Sequence, residues 1–171
     1  ELTKARLPWL VLALLGGFIT VRVLGLFEGA MLEHGKLFFF TPLIAAMAGN
    51  VGVQSSAIIV QGLANNTLSG SLFNRLVKEI SLSLLNGLIL ASILFLGSHF
   101  LLNVEVIIGV IVTIALVSVI IIASLIGTFI PLLLDKFGID PALATGPFIT
   151  TSNDICGILI YFSIAKLVQG F

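Results

Sequence analysis

The chain has 171 residues, of which 58% are hydrophobic and 9% are charged, with eight acidic and eight basic side chains. A soluble globular protein of this composition would have too few polar side chains to cover its surface, so the composition predicts an integral membrane protein. The zero net charge and the lack of a recognition motif argue against nucleic-acid binding, and the single cysteine, Cys156, excludes an internal disulfide or a thiolate metal cluster.

Five segments are apolar and long enough to cross a bilayer, which takes about 20 residues. They lie at 7–27, 37–63, 77–102, 104–134 and 141–168. The first is predicted to be a retained span rather than a signal peptide, since no small-residue cleavage site follows it. The stretches ANNTLSGS and DKFGIDP break the pattern after spans 2 and 4. Residues 1–171 are therefore expected to form one all-α, five-helix membrane domain.

An odd number of spans places the two termini on opposite sides of the membrane. Five cations fall in loops on one side, against three toward the other: Lys4, Arg6, Arg75, Lys78 and Lys136, against Arg22, Lys36 and Lys166. Since positively charged loops remain cytoplasmic, we expect a multi-pass protein of the cell membrane. Its N-terminus would be cytoplasmic, and its C-terminus extracellular or periplasmic.

Span 2 carries polar side chains at the middle of an apolar run, in the segment GNVGVQ at 49–54. Three amides share one helix face with two alanines: Asn50, Gln54, Gln61, Ala46 and Ala57. The glycines of the segment allow another helix to approach closely. The amides could line a polar path or simply hold helices together, and both interpretations stay open.

Spans 3 and 4 are joined by the short link HFLLNVE, so they are expected to be antiparallel neighbours. Span 4 consists largely of isoleucine, valine and leucine. This composition predicts a structural or lipid-facing helix.

Span 5 places Asp154 near the bilayer centre, where inserting a carboxylate costs roughly 2.5–3.5 kcal/mol. Small and polar residues of this span form one stripe at helical spacing: Gly146, Pro147, Thr150, Thr151, Asp154, Gly157 and Tyr161. Pro147 cannot donate a backbone hydrogen bond and can free a carbonyl of the preceding turn. Two plainer interpretations remain: Asp154 could form a polar contact between helices, and the threonine hydroxyls could bond back to their own helix.

The polar faces of spans 2 and 5 lie at the same depth and offer oxygen ligands. Cys156 points about 200° away from Asp154, and His34 and His99 are predicted to lie in loops. One carboxylate per chain with amide and hydroxyl neighbours favours a hard cation over a softer metal. Asp140, at the start of span 5, is predicted to cap the helix rather than to bind an ion.

Three segments resemble the transmembrane domain of the MgtE magnesium channels, a family related to the eukaryotic solute-carrier magnesium transporters. They are FEG at 27–29, PLIAAMAGNVGVQSS at 42–56 and DPALATGPFITTSNDICGILIYFSIAKLV at 140–168. The resemblance covers nearly the whole chain and implies a homodimer in which spans 2 and 5 of both chains line one central pore. A magnesium ion would be held there largely with its water shell. These residues do not include the cytosolic N-terminal domain and paired CBS domains usual in the family, so the sequence is expected to be either an excised pore domain or a naturally short member, and gating by those domains is not carried over.

The resemblance also implies the metal ligands. Asp154 matches the pore aspartate, and Asn50 matches an asparagine beside the ion. Thr150 and Ala46 match positions that contribute a backbone carbonyl. Gly146 stands where some members have an asparagine, which removes a side-chain contact. Further candidates for the pore lining are Gln54, Gly146, Gly157, Thr151 and, at the outer mouth, Glu28.

We therefore expect a channel that imports Mg²⁺ down its electrochemical gradient, and neither an enzyme nor a cofactor-dependent protein. Its partners would be a second copy of the chain, membrane lipid and divalent cations. Two alternatives stay open: an exchanger that couples Mg²⁺ to sodium or protons, and a non-transporting scaffold. The residues do not decide among Mg²⁺, Mn²⁺, Co²⁺ and Ca²⁺, because all four accept oxygen ligands.

Overall fold

The computed structural model describes residues 2–29, 35–68 and 70–170, and within these ranges the regular structure is helical. The helices are α1 (Leu2–Gly25), α2 (Gly35–Phe38), α3 (Thr41–Ala64), α4 (Leu72–Phe100), α5 (Val106–Lys136) and α6 (Pro141–Gln169). Five segments of the described chain are long and apolar enough to span a membrane, with α2 and α3 together forming one of them. The all-α, five-span prediction is confirmed.

The helix bounds differ most from the prediction at two N-terminal ends. Helix α1 begins at Leu2 instead of residue 7, and α4 begins at Leu72 instead of residue 77. Hydropathy marks the part of a helix that lies in hydrocarbon, whereas a helix can continue into water through polar residues. In α4 the Ser71 side chain accepts a hydrogen bond from the Asn74 backbone N–H at 3.3 Å, which fixes the true start of the helix.

Helix α5 is the centre of the fold and packs against α3, α4 and α6. Its inward positions are at most 2% exposed: Ile111, Val112, Ala115, Leu116, Val119, Ile120 and Ala123. The structural role predicted for span 4 is thus confirmed, and an outward stripe that includes Ile114 and Ile122 stays exposed. An all-apolar helix suits lipid and protein interior equally well, so its sequence does not distinguish the two.

Helix α1 packs mainly on α6 and is otherwise exposed. At the contact, Gly16 lies so close to Thr151 that a Cβ at position 16 would overlap the Thr151 methyl group. The link between α4 and α5 is short and the two helices are packed neighbours, as predicted.

An ion pair supports the alternating course of the helices. Lys36 Nζ, just before α3, lies 2.9 Å from Glu105 Oε1, just before α5. The starts of α3 and α5 are therefore at the same end of the bundle, and the starts of α4 and α6 are at the other.

Candidate metal centre

Asp154 lies in a groove of about 360 Å³ between α3 and α6, which we call the aspartate groove. Its lining consists of Ala45, Ala46, Gly49, Asn50, Val53, Gln54, Thr150 and Asp154. The structure thus brings the four predicted ligands together with Gln54, although they come from segments about 100 residues apart in the chain. Equal depth on two packed helices was sufficient to predict this proximity.

Glycines let α3 approach α6 and α5 closely at this depth. A Cβ at Gly49 would lie 3.6 Å from Asp154 Oδ1, so the carboxylate sits directly against the α3 backbone. One turn on, Gly52 faces the Asn153 amide, and a Cβ there would overlap it. On the α5 side, a Cβ at Gly127 would overlap the Gly52 carbonyl oxygen. The α3 and α5 backbones therefore touch behind the groove, and the α3 backbone packs directly against the Asn153 side chain of α6.

Asp154 itself is partly buried, and no hydrogen bond or ion pair joins its carboxylate to any described residue. A carboxylate in the middle of a membrane span is costly unless a partner compensates for its charge. The polar helix contact considered for Asp154 is not formed within one chain. The carboxylate oxygens instead face the aspartate groove, where a cation could compensate for the charge.

The Thr150 hydroxyl is used by its own helix. It donates to the carbonyl oxygens of Gly146 at 3.0 Å and Pro147 at 3.1 Å, as the plainer interpretation expected. The hydroxyl oxygen keeps lone pairs for an ion, and the contact that the family resemblance implies for Thr150 is through its backbone carbonyl. Pro147 has no N–H, so the carbonyl of residue 143 lacks its usual intrahelical donor.

Two predicted pore-lining residues of span 5 lie elsewhere. Gly157 is buried against α3 and α5, where a Cβ would meet the Ala48 Cβ at 3.2 Å. Thr151 faces Gly16 of α1. The predicted stripe is wide enough that its edges turn toward neighbouring helices, and its centre, at Thr150 and Asp154, faces the groove.

Tyr161 and Glu28 also lie outside the groove. The Tyr161 hydroxyl is buried and donates to the Leu37 carbonyl at 2.7 Å, which ties α6 to α2. Glu28 is exposed beyond the end of α1, next to Phe27, whose ring stacks on Phe162 with centroids 4.9 Å apart. The structure therefore gives Glu28 a position at the bundle end where α6 finishes.

A second groove continues the polar face toward the start of α6. It measures about 540 Å³ and is lined by residues that include Val53, Ser56, Gln61 and Gly146. Val53 lines both this groove and the aspartate groove, so the two adjoin. Beyond it, the Asp140 carboxylate accepts a hydrogen bond from the Ala142 N–H at 2.9 Å, which confirms its predicted role as the α6 cap.

Neither His99 nor Cys156 is among the described residues that line the aspartate groove. His34 lies outside the described residues. His99 was expected in a loop, but it is in the last turn of α4, exposed and beside Phe100. Cys156 is a free thiol away from the groove lining.

Sequence reasoning missed one acidic residue, Glu79 of α4. Its Oε1 accepts a hydrogen bond of 2.6 Å from the Ser55 hydroxyl of α3. It lines a groove of about 540 Å³ between α3 and α4, which also includes Asn50, Gln54 and Asn86. Glu79 stands near the predicted start of span 3, where an acidic side chain is usually solvated. The available signal was its helical spacing of seven from Asn86, which places both on one face.

Comparison with known proteins gives a consistent family match. The family model described as MgtE, divalent cation transporter, matches residues 41–164. A protein of Bacillus subtilis (strain 168) named magnesium transporter MgtE is 38% identical over 161 residues, which is 94% of this chain and 36% of the relative. Proteins of the same name from Enterococcus faecalis and Thermus thermophilus are 38% and 36% identical over 97% and 96% of this chain. The chain spans 36–37% of the length of these relatives.

Proposed function

The chain belongs to the MgtE family of divalent cation transporters, and on this premise we propose that it conducts Mg²⁺ through a pore completed by a second copy of itself. The family comprises transporters rather than enzymes. The three relatives are named magnesium transporters, which supports Mg²⁺ as the transported ion. The proposal treats residues 1–171 as one pore domain, because α3, α4 and α6 all pack on α5.

The observation that carries the proposal is the unpartnered Asp154 carboxylate in the aspartate groove. Mg²⁺ prefers oxygen ligands and gives up its waters reluctantly, so it usually binds through one or two carboxylates and keeps several waters. The aspartate groove offers one carboxylate, the Asn50 and Gln54 amides and the carbonyls of Ala46 and Thr150. This donor set fits a hydrated hard cation.

A homodimer would supply the second negative charge that a divalent ion needs for neutralisation. One chain supplies one carboxylate toward a divalent ion, and the polar residues Asn50 and Gln54 stay exposed on the groove side of α3. A twofold axis along this face would bring a second Asp154 to the same ion. Two carboxylates neutralise Mg²⁺ without a closed cage, which leaves binding weak enough for conduction.

The proposed orientation has a cytoplasmic N-terminus and import down the electrochemical gradient. The Lys36–Glu105 ion pair supports it by placing residues 36 and 105 at one end of the bundle. The five cations of the predicted cytoplasmic loops then lie at the opposite end. In this orientation α3 runs from the outer side at Thr41 to the cytoplasmic side at Ala64.

Flux through proteoliposomes that contain a magnesium-sensitive dye tests the proposal. We expect Asp154→Asn to abolish Mg²⁺ uptake, because it removes the charge and keeps the shape. The matched control is Asp140→Asn, which removes a carboxylate from the same helix but keeps a good cap; it should retain uptake. Thermal unfolding and light scattering would verify that both variants fold and form dimers. Uptake by Asp154→Asn at the wild-type rate would overturn the proposal.

Measurements on the same proteoliposomes distinguish a channel from an ion-coupled exchanger and from a non-transporting scaffold. Single-channel currents carried by Mg²⁺ would support a channel. Uptake that follows an imposed sodium or proton gradient would instead indicate an exchanger. A scaffold would show no divalent flux, and its unfolding temperature would not rise with added Mg²⁺, whereas a bound ion stabilises the folded state by mass action.

A further inference from the structure

A second carboxylate faces a second cavity of α3, and the aspartate site does not use it. Glu79 of α4 extends toward α3, where the Ser55 hydroxyl holds one of its oxygens at 2.6 Å. Its other oxygen has no hydrogen-bond partner among the described residues. Glu79 also lines the groove between α3 and α4, so its second oxygen is available to a cation there.

The depth of Glu79 places it beyond Asp154 along the pore axis. Asp154 lies beside Gly49, and Glu79 lies beside Ser55, six residues further along α3. At 1.5 Å per residue the two carboxylates are therefore separated by about 9 Å along the helix axis. Glu79 is displaced toward the Ala64 end of α3, the end with the predicted cytoplasmic loops.

The two cavities share a wall made of amides. Asn50 and Gln54 line both the aspartate groove and the groove that contains Glu79. Asn86 of α4 adds a third amide on the Glu79 side. Each amide presents a carbonyl oxygen that can accept a hydrogen bond from a water molecule on a cation.

The volume of the Glu79 groove suits a hydrated ion. Six waters at about 30 Å³ each occupy roughly 180 Å³. The groove measures about 540 Å³, so an ion with its complete first water shell fits and some further water is accommodated. An ion without its waters would have one carboxylate as a charged ligand and no enclosing set of ligands, so the groove suits a hydrated ion better than a dehydrated one.

We propose that Glu79, together with Asn86 and the shared amides Asn50 and Gln54, forms a second site for a hydrated divalent cation. This inference rests on the proposed function and extends it. The second site is an ion-binding site on the cytoplasmic side of Asp154, which an ion occupies after it leaves the pore centre. Because the amide wall is common to both grooves, an ion can pass from one carboxylate to the next without losing polar contacts to its water shell.

Binding of Mn²⁺ by the purified protein, followed by electron paramagnetic resonance, tests the site directly. In an Asp154→Asn background we expect bound Mn²⁺ to remain, and addition of Glu79→Gln should weaken it about tenfold, the attraction between a carboxylate and a divalent ion about 6 Å apart across water. Ser81→Ala in the same background is the control and should change Mn²⁺ affinity less than twofold, because the Ser81 hydroxyl donates to the Val77 carbonyl of its own helix and does not line this groove. Equal Mn²⁺ binding with and without Glu79→Gln would overturn the inference and leave Glu79 as a brace.

A gain-of-binding variant keeps the test decisive if Glu79→Gln does not fold. Asn86→Asp adds a carboxylate to the same groove and should tighten Mn²⁺ binding about tenfold by the same Coulomb attraction. Unchanged Mn²⁺ affinity in Asn86→Asp would contradict the proposed site.

Flux measurements distinguish failure of this inference from failure of the proposed function. With Asp154 intact, Glu79→Gln should still conduct Mg²⁺, with a half-saturating concentration raised severalfold. If Asp154→Asn conducts normally, the proposed function fails whatever Mn²⁺ does at Glu79. If Asp154→Asn conducts no Mg²⁺ while Glu79→Gln changes neither Mg²⁺ flux nor Mn²⁺ affinity, only the inference of a second site is refuted.

Discussion

Replacement of Gly52 by alanine should force α3 away from α6 directly behind the aspartate groove. The added Cβ would overlap the Asn153 amide nitrogen and lie 2.9 Å from Ile149 Cγ2. Both neighbours are fully enclosed, at 1% and 0% exposure, so neither side chain can turn into open space. The helices must therefore shift, and Asn50 would move relative to Asp154.

The expected loss in the free energy of unfolding of Gly52→Ala follows from a comparison with Gly97→Ala. A Cβ at Gly97 in α4 meets nothing within 4 Å. Both substitutions gain about 1 kcal/mol of helix propensity, so the difference between the two variants isolates the overlap at Gly52. Overpacking of an enclosed site costs about 1–3 kcal/mol, and we expect Gly52→Ala to be less stable than Gly97→Ala by that amount.

Reversible unfolding in detergent, followed by circular dichroism, gives the two free energies of unfolding. Magnesium flux through proteoliposomes gives the functional consequence, and we expect Gly52→Ala to conduct less than Gly97→Ala. The reasoning is refuted if Gly52→Ala is as stable as Gly97→Ala and conducts equally well, since the α3 backbone would then not be packed tightly against the Asn153 and Ile149 side chains of α6.

Three further predictions concern the ends of the bundle. Asp140→Ala should lower the unfolding free energy by about 1 kcal/mol, and Asp140→Ser should restore it, because serine also caps the α6 N-terminus. Tyr161→Phe should cost about 1 kcal/mol in the same assay, because it leaves the Leu37 carbonyl without its donor; an unchanged value would mean that water replaces the hydroxyl. The Lys36 ammonium lowers the pKa of Glu105 below its ordinary value of 4.5, first by a hydrogen bond and then by charge attraction. This small, exposed stabilisation is present above pH 4.5 and disappears as pH falls through the lowered pKa, so the unfolding temperatures of wild type and Glu105→Gln should converge in acid.

The helices and the aspartate groove were predictable because lipid penalises polar groups strongly. Asn50 and Asp154 are tolerated mid-span only if they face something other than hydrocarbon, and helical periodicity then fixes which neighbours share their face. Two spans with polar residues at equal depth are therefore expected to pack with those residues facing one common groove. The structure places those residues in one groove, as that argument predicts.

The missed features depend on tertiary packing rather than on periodicity. The importance of Glu79 comes from its contact with Ser55, which lies on a different helix. The burial of α5 is equally hidden, because isoleucine and valine are as suitable for lipid as for a protein core. Thr151 and Gly157 lie at the edges of a broad stripe, and only the positions of α1, α3 and α5 decide which way they turn.

The close contact of α3, α5 and α6 at Gly52 and Gly127 bears on discrimination between ions of different radius. Magnesium and calcium differ by about 0.2–0.6 Å in their distances to oxygen ligands. Helices that touch through their backbones cannot adjust by that amount as easily as helices separated by flexible side chains. Under the proposed function, glycines outside the groove lining would thus limit how far the α3 side of the aspartate groove can move. Residues that never contact the ion would then help to decide which ion passes.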